Sequence, residues 1–132
     1  MSVLVDTSVW SLLFRKKGSA DHPEVYILTS LLRQTEDVAL TGSILQEILQ
    51  AFRSETEFRR VSGFFEPFPI IGLERDDFIT AAKLHRQCAS NGVAASTVDC
   101  QIAVAAIRNG YLLLTADKDF EHIAKHSQLK LL

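Results

Sequence analysis

Short apolar runs rich in β-forming residues alternate with longer stretches of helical period along this chain, the pattern of βα units built around a parallel sheet. Ser2-Val3-Leu4-Val5 reads as a buried first strand, and Ser8 to Phe14 as a short helix with Val9, Leu12 and Leu13 on one side. Asp21, ahead of Pro23 and Glu24, is placed to cap a helix whose stripe is Val25, Leu28, Leu31 and Leu32. Asp37 to Thr41 is a second strand, and Ser43 is a candidate cap for the helix carrying Ile44, Leu45, Ile48, Leu49 and Phe52. A further helix covers Thr56 to Phe65 and stops at Pro67. Phe68 to Ile71 is a strand confined to an edge, because Pro69 has no N–H to give a ladder. Asp76 or Asp77 opens a helix that ends at Asn91-Gly92, and Thr97 opens another that ends at Asn109-Gly110. Tyr111 to Thr115 is a strand, Asp119 begins a short helix, and Leu129 to Leu132 is a terminal strand. The expected architecture is a three-layer α/β/α domain with a central, mainly parallel sheet, one domain over residues 1–132.

At 132 residues, with 47% apolar and 23% charged side chains, the chain can bury a core without disulfides or metals. Fourteen Lys and Arg against sixteen Asp and Glu leave a net charge of -2, so binding of nucleic acid by bulk charge is excluded and any such contact needs a locally basic surface. No run of 18 apolar residues is present to span a membrane. The first ten residues carry no basic leader and meet an acid at Asp6, which is not the pattern of a secretion signal. Cys88 and Cys100 are accordingly expected as reduced thiols, and the protein as cytoplasmic.

In open parallel sheets, ligands sit beyond the carboxyl ends of the strands. Asp6 is the first residue after the first strand, Asp117 lies two past Thr115, and Glu47 one helical turn past Thr41. Asp99 lies in the first turn of its helix. An acid there is favoured by the helix dipole alone, by ~0.3–1 kcal/mol, and Glu47 alone would be a solvated helix position. Asp6 is less ordinary: a carboxylate that ends a buried strand must be paired, protonated or metal-bound, and no Lys or Arg lies within eight residues of it. Carboxylates crowded at one rim repel one another, and a hard divalent cation relieves the repulsion. Such a site suits hydrolysis of a phosphodiester.

The stretches that hold these acids are Val5-Asp6-Thr7-Ser8-Val9-Trp10, Ile44-Leu45-Gln46-Glu47-Ile48, Val98-Asp99-Cys100-Gln101-Ile102-Ala103 and Leu113-Leu114-Thr115-Ala116-Asp117-Lys118-Asp119-Phe120. Together, in this order and over essentially the whole chain, they resemble a PIN-domain ribonuclease, and within that group the VapC toxins of toxin–antitoxin pairs. The resemblance implies an endoribonuclease dependent on Mg²⁺, with Mn²⁺ able to substitute, that cuts structured RNA such as tRNA. It also implies a cognate VapB-type antitoxin as inhibitor, and a homodimer that forms a heterotetramer or larger assembly with it. Carried over by position, Asp6 and Asp99 are the principal metal ligands with Asp117 beside them, and Glu47 and Asp117 complete the acidic pocket. Thr7, Ser8 and Thr115 supply hydroxyls to the carboxylates or the scissile phosphate. Asp119 is a fifth member of the pocket or the cap of its own helix.

His122 and His126 stand four apart on a helix, but no third soft ligand lies near them, so a solvated face is preferred to zinc. Asp6-Thr7-Ser8 lacks the second acid that a phosphoaspartate enzyme needs two residues on. Arg15-Lys16-Lys17 and Arg59-Arg60 are read as solvated surface, or as a means of steering RNA if they flank the acids. The remaining alternatives are a catalytically silent RNA- or protein-binding module, which should have lost one of the acids, and a DNase using the same pocket.

Overall fold

The computed structural model describes residues 1–15 and 21–132. Its centre is a parallel sheet of β1 (Ser2–Val5), β2 (Asp37–Thr41), β3 (Ile70–Ile71) and β4 (Leu112–Leu114), in the order β3-β2-β1-β4. Seven helices accompany it among the described residues: α1 (Thr7–Leu13), α2 (Pro23–Arg33), α3 (Gly42–Gln50), α4 (Glu55–Phe65), α5 (Arg75–Ser90), α6 (Thr97–Asn109) and α7 (Asp119–Lys125). Successive strand residues face opposite sides of a sheet. Val3, Leu4 and Val5 are nevertheless all fully buried, so helices cover β1 on both faces, as in the expected α/β/α sandwich.

The order of the strands decides where a site can form. The chain leaves β1, builds β2 and then β3 on one side, and returns to place β4 on the other side of β1. The carboxyl ends of β1 and β4 therefore flank a topological switch point, where the connections diverge and leave a crevice. Register closes the gap, since Val5 pairs with Leu114 and the Asp6 N–H donates to the Leu114 carbonyl at 2.9 Å.

Aromatic packing fixes the entry into α1. The Trp10 ring, fully buried, meets Phe65 edge-on at 4.8 Å between centroids, with Phe68 at 5.7 Å and Phe64 at 6.1 Å. Its indole N–H donates to the Val5 carbonyl at 3.2 Å, which ties the residue before Asp6 to the core.

The local expectations need four corrections. Thr41, not Ser43, caps α3: its extended backbone leads straight from β2 into Gly42, and its hydroxyl accepts from the Ile44 N–H at 3.2 Å. His22, not Asp21, occupies the N-cap of α2 and makes no side-chain cap, Pro23 at the first turn leaving one donor fewer to satisfy. Glu74 caps α5, with Asp77 in its first turn accepting from the Glu74 N–H at 2.8 Å. The terminal strand shrinks to one bridge between Leu113 and Leu131, although the Leu113 and Leu132 N–H groups both bond across it at 2.9 Å. Pro69 does lie on an edge, where only its carbonyl joins the ladder, accepting from Leu40.

Candidate active site

At the switch point Asp6, Thr7, Ser8, Glu47, Ser96, Val98, Asp99 and Asp117 line one recess of about 300 Å³. The sheet delivers Asp6 and Asp117 from neighbouring strands. Thr41 turns the chain into α3 so that Glu47 reaches the same rim, and α6 presents Asp99 from its first turn. Asp99, Asp117 and Asp119 stand closest, with one carboxylate oxygen of each within 4.8 Å of the others. That triplet differs from the expected set of Asp6, Asp99 and Asp117. Asp119 is the first residue of α7 rather than its cap: Lys118 holds the N-cap without a side-chain bond, and Asp117 Oδ1 accepts the Asp119 N–H at 2.9 Å.

Asp6 is 6% exposed, so its charge has to be met by hydrogen bonds. Its Oδ2 accepts from the Ser8 hydroxyl at 2.7 Å, the Thr115 hydroxyl at 3.1 Å and the Ser8 N–H at 3.3 Å. Thr7 does not share this task. Thr7 lines the recess, but its hydroxyl is buried and has no hydrogen-bond partner among the described residues, and it is Ser8, one residue into α1, that reaches the carboxylate. Among the described residues, none of Asp6, Glu47, Asp99, Asp117 and Asp119 forms an ion pair.

The electrostatic consequence falls on Asp99. Burial, with the charges of Asp6, Asp117 and Asp119 added, pushes its carboxyl up to about 6 against the contrary pull of the Ser96 hydroxyl. Glu47 is raised as well, by burial first and by Asp6 second. Hard oxygen donors that repel one another and hold their protons too tightly form a set that a hard divalent cation would satisfy. Ser96 escaped the sequence reading. It lines the recess and caps α6, accepting from the Asp99 N–H at 3.0 Å. The spacing Ser96-Thr97-Val98-Asp99, a polar residue three before an acid ahead of an apolar stretch, was the available signal. Among the described residues of the basic clusters, Arg15, Arg59 and Arg60 do not line the recess. Arg59 pairs with Glu55 on the exposed side of α4 at 3.1 Å, and Lys16 and Lys17 lie outside the described residues.

A family model described as PIN domain matches residues 3–126. The VapC ribonuclease Mb1587 of Mycobacterium bovis and the ribonuclease VapC11 of Mycobacterium tuberculosis are each 30% identical to this chain over 130 residues, 97% of this chain and 96% of the relative. Among solved structures, VapBC2 from Rickettsia felis, bound to a DNA fragment from its promoter, matches with a TM-score of 0.78 at 17% identity. That match covers 100% of this chain and 98% of the other. FitAcB from Neisseria gonorrhoeae matches at 0.77 and 19% identity, over 98% of this chain and 96% of the other. The chain belongs to the PIN-domain family, alongside its VapC members.

Proposed function

We propose that this PIN-domain protein is a metal-dependent endoribonuclease, the toxin of a VapBC-type pair, and that it hydrolyses phosphodiester bonds in structured RNA such as tRNA. The observation that carries the reading is the meeting of carboxylates from four distant segments in one recess, with no cation among the described residues paired to them.

The donor set fits Mg²⁺, or Mn²⁺ in its place: Asp99 and Asp117 are the central ligands, with Asp119 beside them and Asp6 across the recess. Bound there, the ion supplies a lowered pKa for a coordinated water and offsets charge on the leaving oxygen. The rest is work for the chain. Asp6 is held by its hydrogen bonds so that Oδ2 is engaged and Oδ1 takes none among the described residues. Glu47, whose hold on a proton is strengthened by burial and by Asp6, takes the proton of the attacking water.

The remaining parts of the proposal follow the family. The chain acts as one domain in the cytoplasm, as a homodimer, and a cognate VapB-type antitoxin inhibits it in a heterotetramer or larger complex. Labelled structured RNA, incubated with the protein in Mg²⁺, in chelator and as Asp6→Asn or Asp99→Asn, tests the chemistry. Cleavage is expected only for the unmodified protein with metal. Full cleavage in chelator, or by either folded variant, would overturn the assignment. Sequencing the 5′ ends of the products then identifies the bond that is cut.

A further inference from the structure

The hydrogen bonds around Asp6 have a directionality that assigns Ser8 and Thr115 a joint task. Each hydroxyl has one proton, and each gives it to the same atom, Asp6 Oδ2, at 2.7 Å from Ser8 and 3.1 Å from Thr115. Each hydroxyl oxygen in turn accepts from one of two consecutive backbone N–H groups after β4: Ala116 donates to Ser8 at 3.0 Å, and Asp117 to Thr115 at 3.0 Å. Two parallel relays therefore run from the loop that carries Asp117, through a hydroxyl, into one oxygen of the carboxylate that ends β1. The hydroxyls stand 3.3 Å apart, but with both protons committed to Asp6 neither has one left for the other.

We propose that Ser8 and Thr115 are positioning residues that clamp the 115–117 loop to Asp6, so that Asp6 offers a cation only Oδ1 and Asp117 is held at a fixed distance across the recess. The inference rests on the reading of the recess as a divalent-cation site. Its physical basis is that a ligand carboxylate is worth more to an ion when its other oxygen is already hydrogen-bonded and its orientation is fixed. Both relays draw their N–H donors from the same stretch, Ala116 and Asp117, so losing one loosens the loop that feeds the other. The hydroxyl is what matters at both positions, not the bulk of the side chain.

Calorimetric titration of the RNA-free protein with Mn²⁺ tests the clamp, with thermal unfolding in chelator as the control for folding. Thr115→Val, nearly isosteric, and Ser8→Ala are each expected to weaken Mn²⁺ binding by about tenfold. Thr115→Ser, which keeps the hydroxyl, is expected to stay within about twofold of the unmodified protein, on the same reasoning about the retained relay. The combined Ser8→Ala/Thr115→Val variant should lose less than the two single losses multiplied together, because each relay depends on the other. If Ser8→Ala does not fold, Thr115→Val and Thr115→Ser decide the matter between them. Unmodified protein that binds no Mn²⁺ overturns the cation reading and the clamp with it. Unmodified protein that binds Mn²⁺, with Thr115→Val binding equally well, overturns the clamp alone.

Discussion

Asp99 is where the crowding of charge becomes measurable without any substrate. Its carboxyl titrates near 3.8 in an ordinary setting and is pushed up to about 6 in the fold, chiefly by burial. The folded chain therefore binds the proton more tightly than the unfolded one. The associated stabilisation is complete below about pH 3.8 and is lost as the pH rises through about 6. At pH 7 the ionised carboxyl thus works against folding in the absence of metal. Asp99→Asn should raise the metal-free stability there by about 1 kcal/mol, the shift being discounted because the side chain is partly open to solvent. Melting curves in chelator at pH 4 and pH 7.5 check the sign: the advantage of Asp99→Asn should be small at the lower pH and open at the higher. An advantage that did not change between them would show that the fold does not raise the Asp99 carboxyl. The backbone cap survives the substitution, because Ser96 is bonded by the Asp99 main-chain N–H.

The helices and strands were readable where period and composition agreed, as at β1, α4 and β4, each found within a residue or two of its bounds. The capping residues were not, because a polar residue near a helix start identifies the region without saying which side chain turns back onto it. At α3 the choice between Thr41 and Ser43 depends on the backbone leaving β2, which no local pattern encodes. Thr41→Val should therefore cost about 1 kcal/mol of stability, and Ser43→Ala distinctly less, in urea unfolding. Equal losses would put the cap back on Ser43. The same method tests the aromatic anchor of α1. Trp10→Ala should cost ~3–5 kcal/mol, since it empties a fully buried site and removes the indole N–H from the Val5 carbonyl next to Asp6. The terminal strand is shorter than its alternation predicts: Leu129 and Leu131 alternate properly, but among the described residues Leu131 alone of the two bridges to β4, at Leu113.

Over the molecule as a whole, the acids were visible in the sequence because Asp6 and Asp117 follow strand ends, Asp99 lies in a helix's first turn and Glu47 stands about one turn past the end of β2. Their meeting was implied by a general rule of parallel sheets rather than by any local feature. What stayed hidden was the set of partners created by register. Val5 opposite Leu114 brings Ser8 and Thr115 to a single carboxylate oxygen although 107 residues separate them. Asp119 joins the closest triplet from the start of α7, where its N–H is bonded to Asp117. A ligand that binds the folded state alone stabilises it by mass action, by about 2.7 kcal/mol when present at a hundred times its Kd. Mg²⁺ or Mn²⁺ should accordingly raise the melting temperature of the unmodified protein, and should do so far less for Asp99→Asn. Anomalous diffraction from crystals soaked in Mn²⁺ locates the ion itself. The peak is expected in the recess, within coordinating distance of Asp99 and Asp117. Crystals of cleavage-competent protein with a fully formed recess and no peak among Asp6, Glu47, Asp99, Asp117 and Asp119 would mean that these carboxylates do not come together to hold a metal.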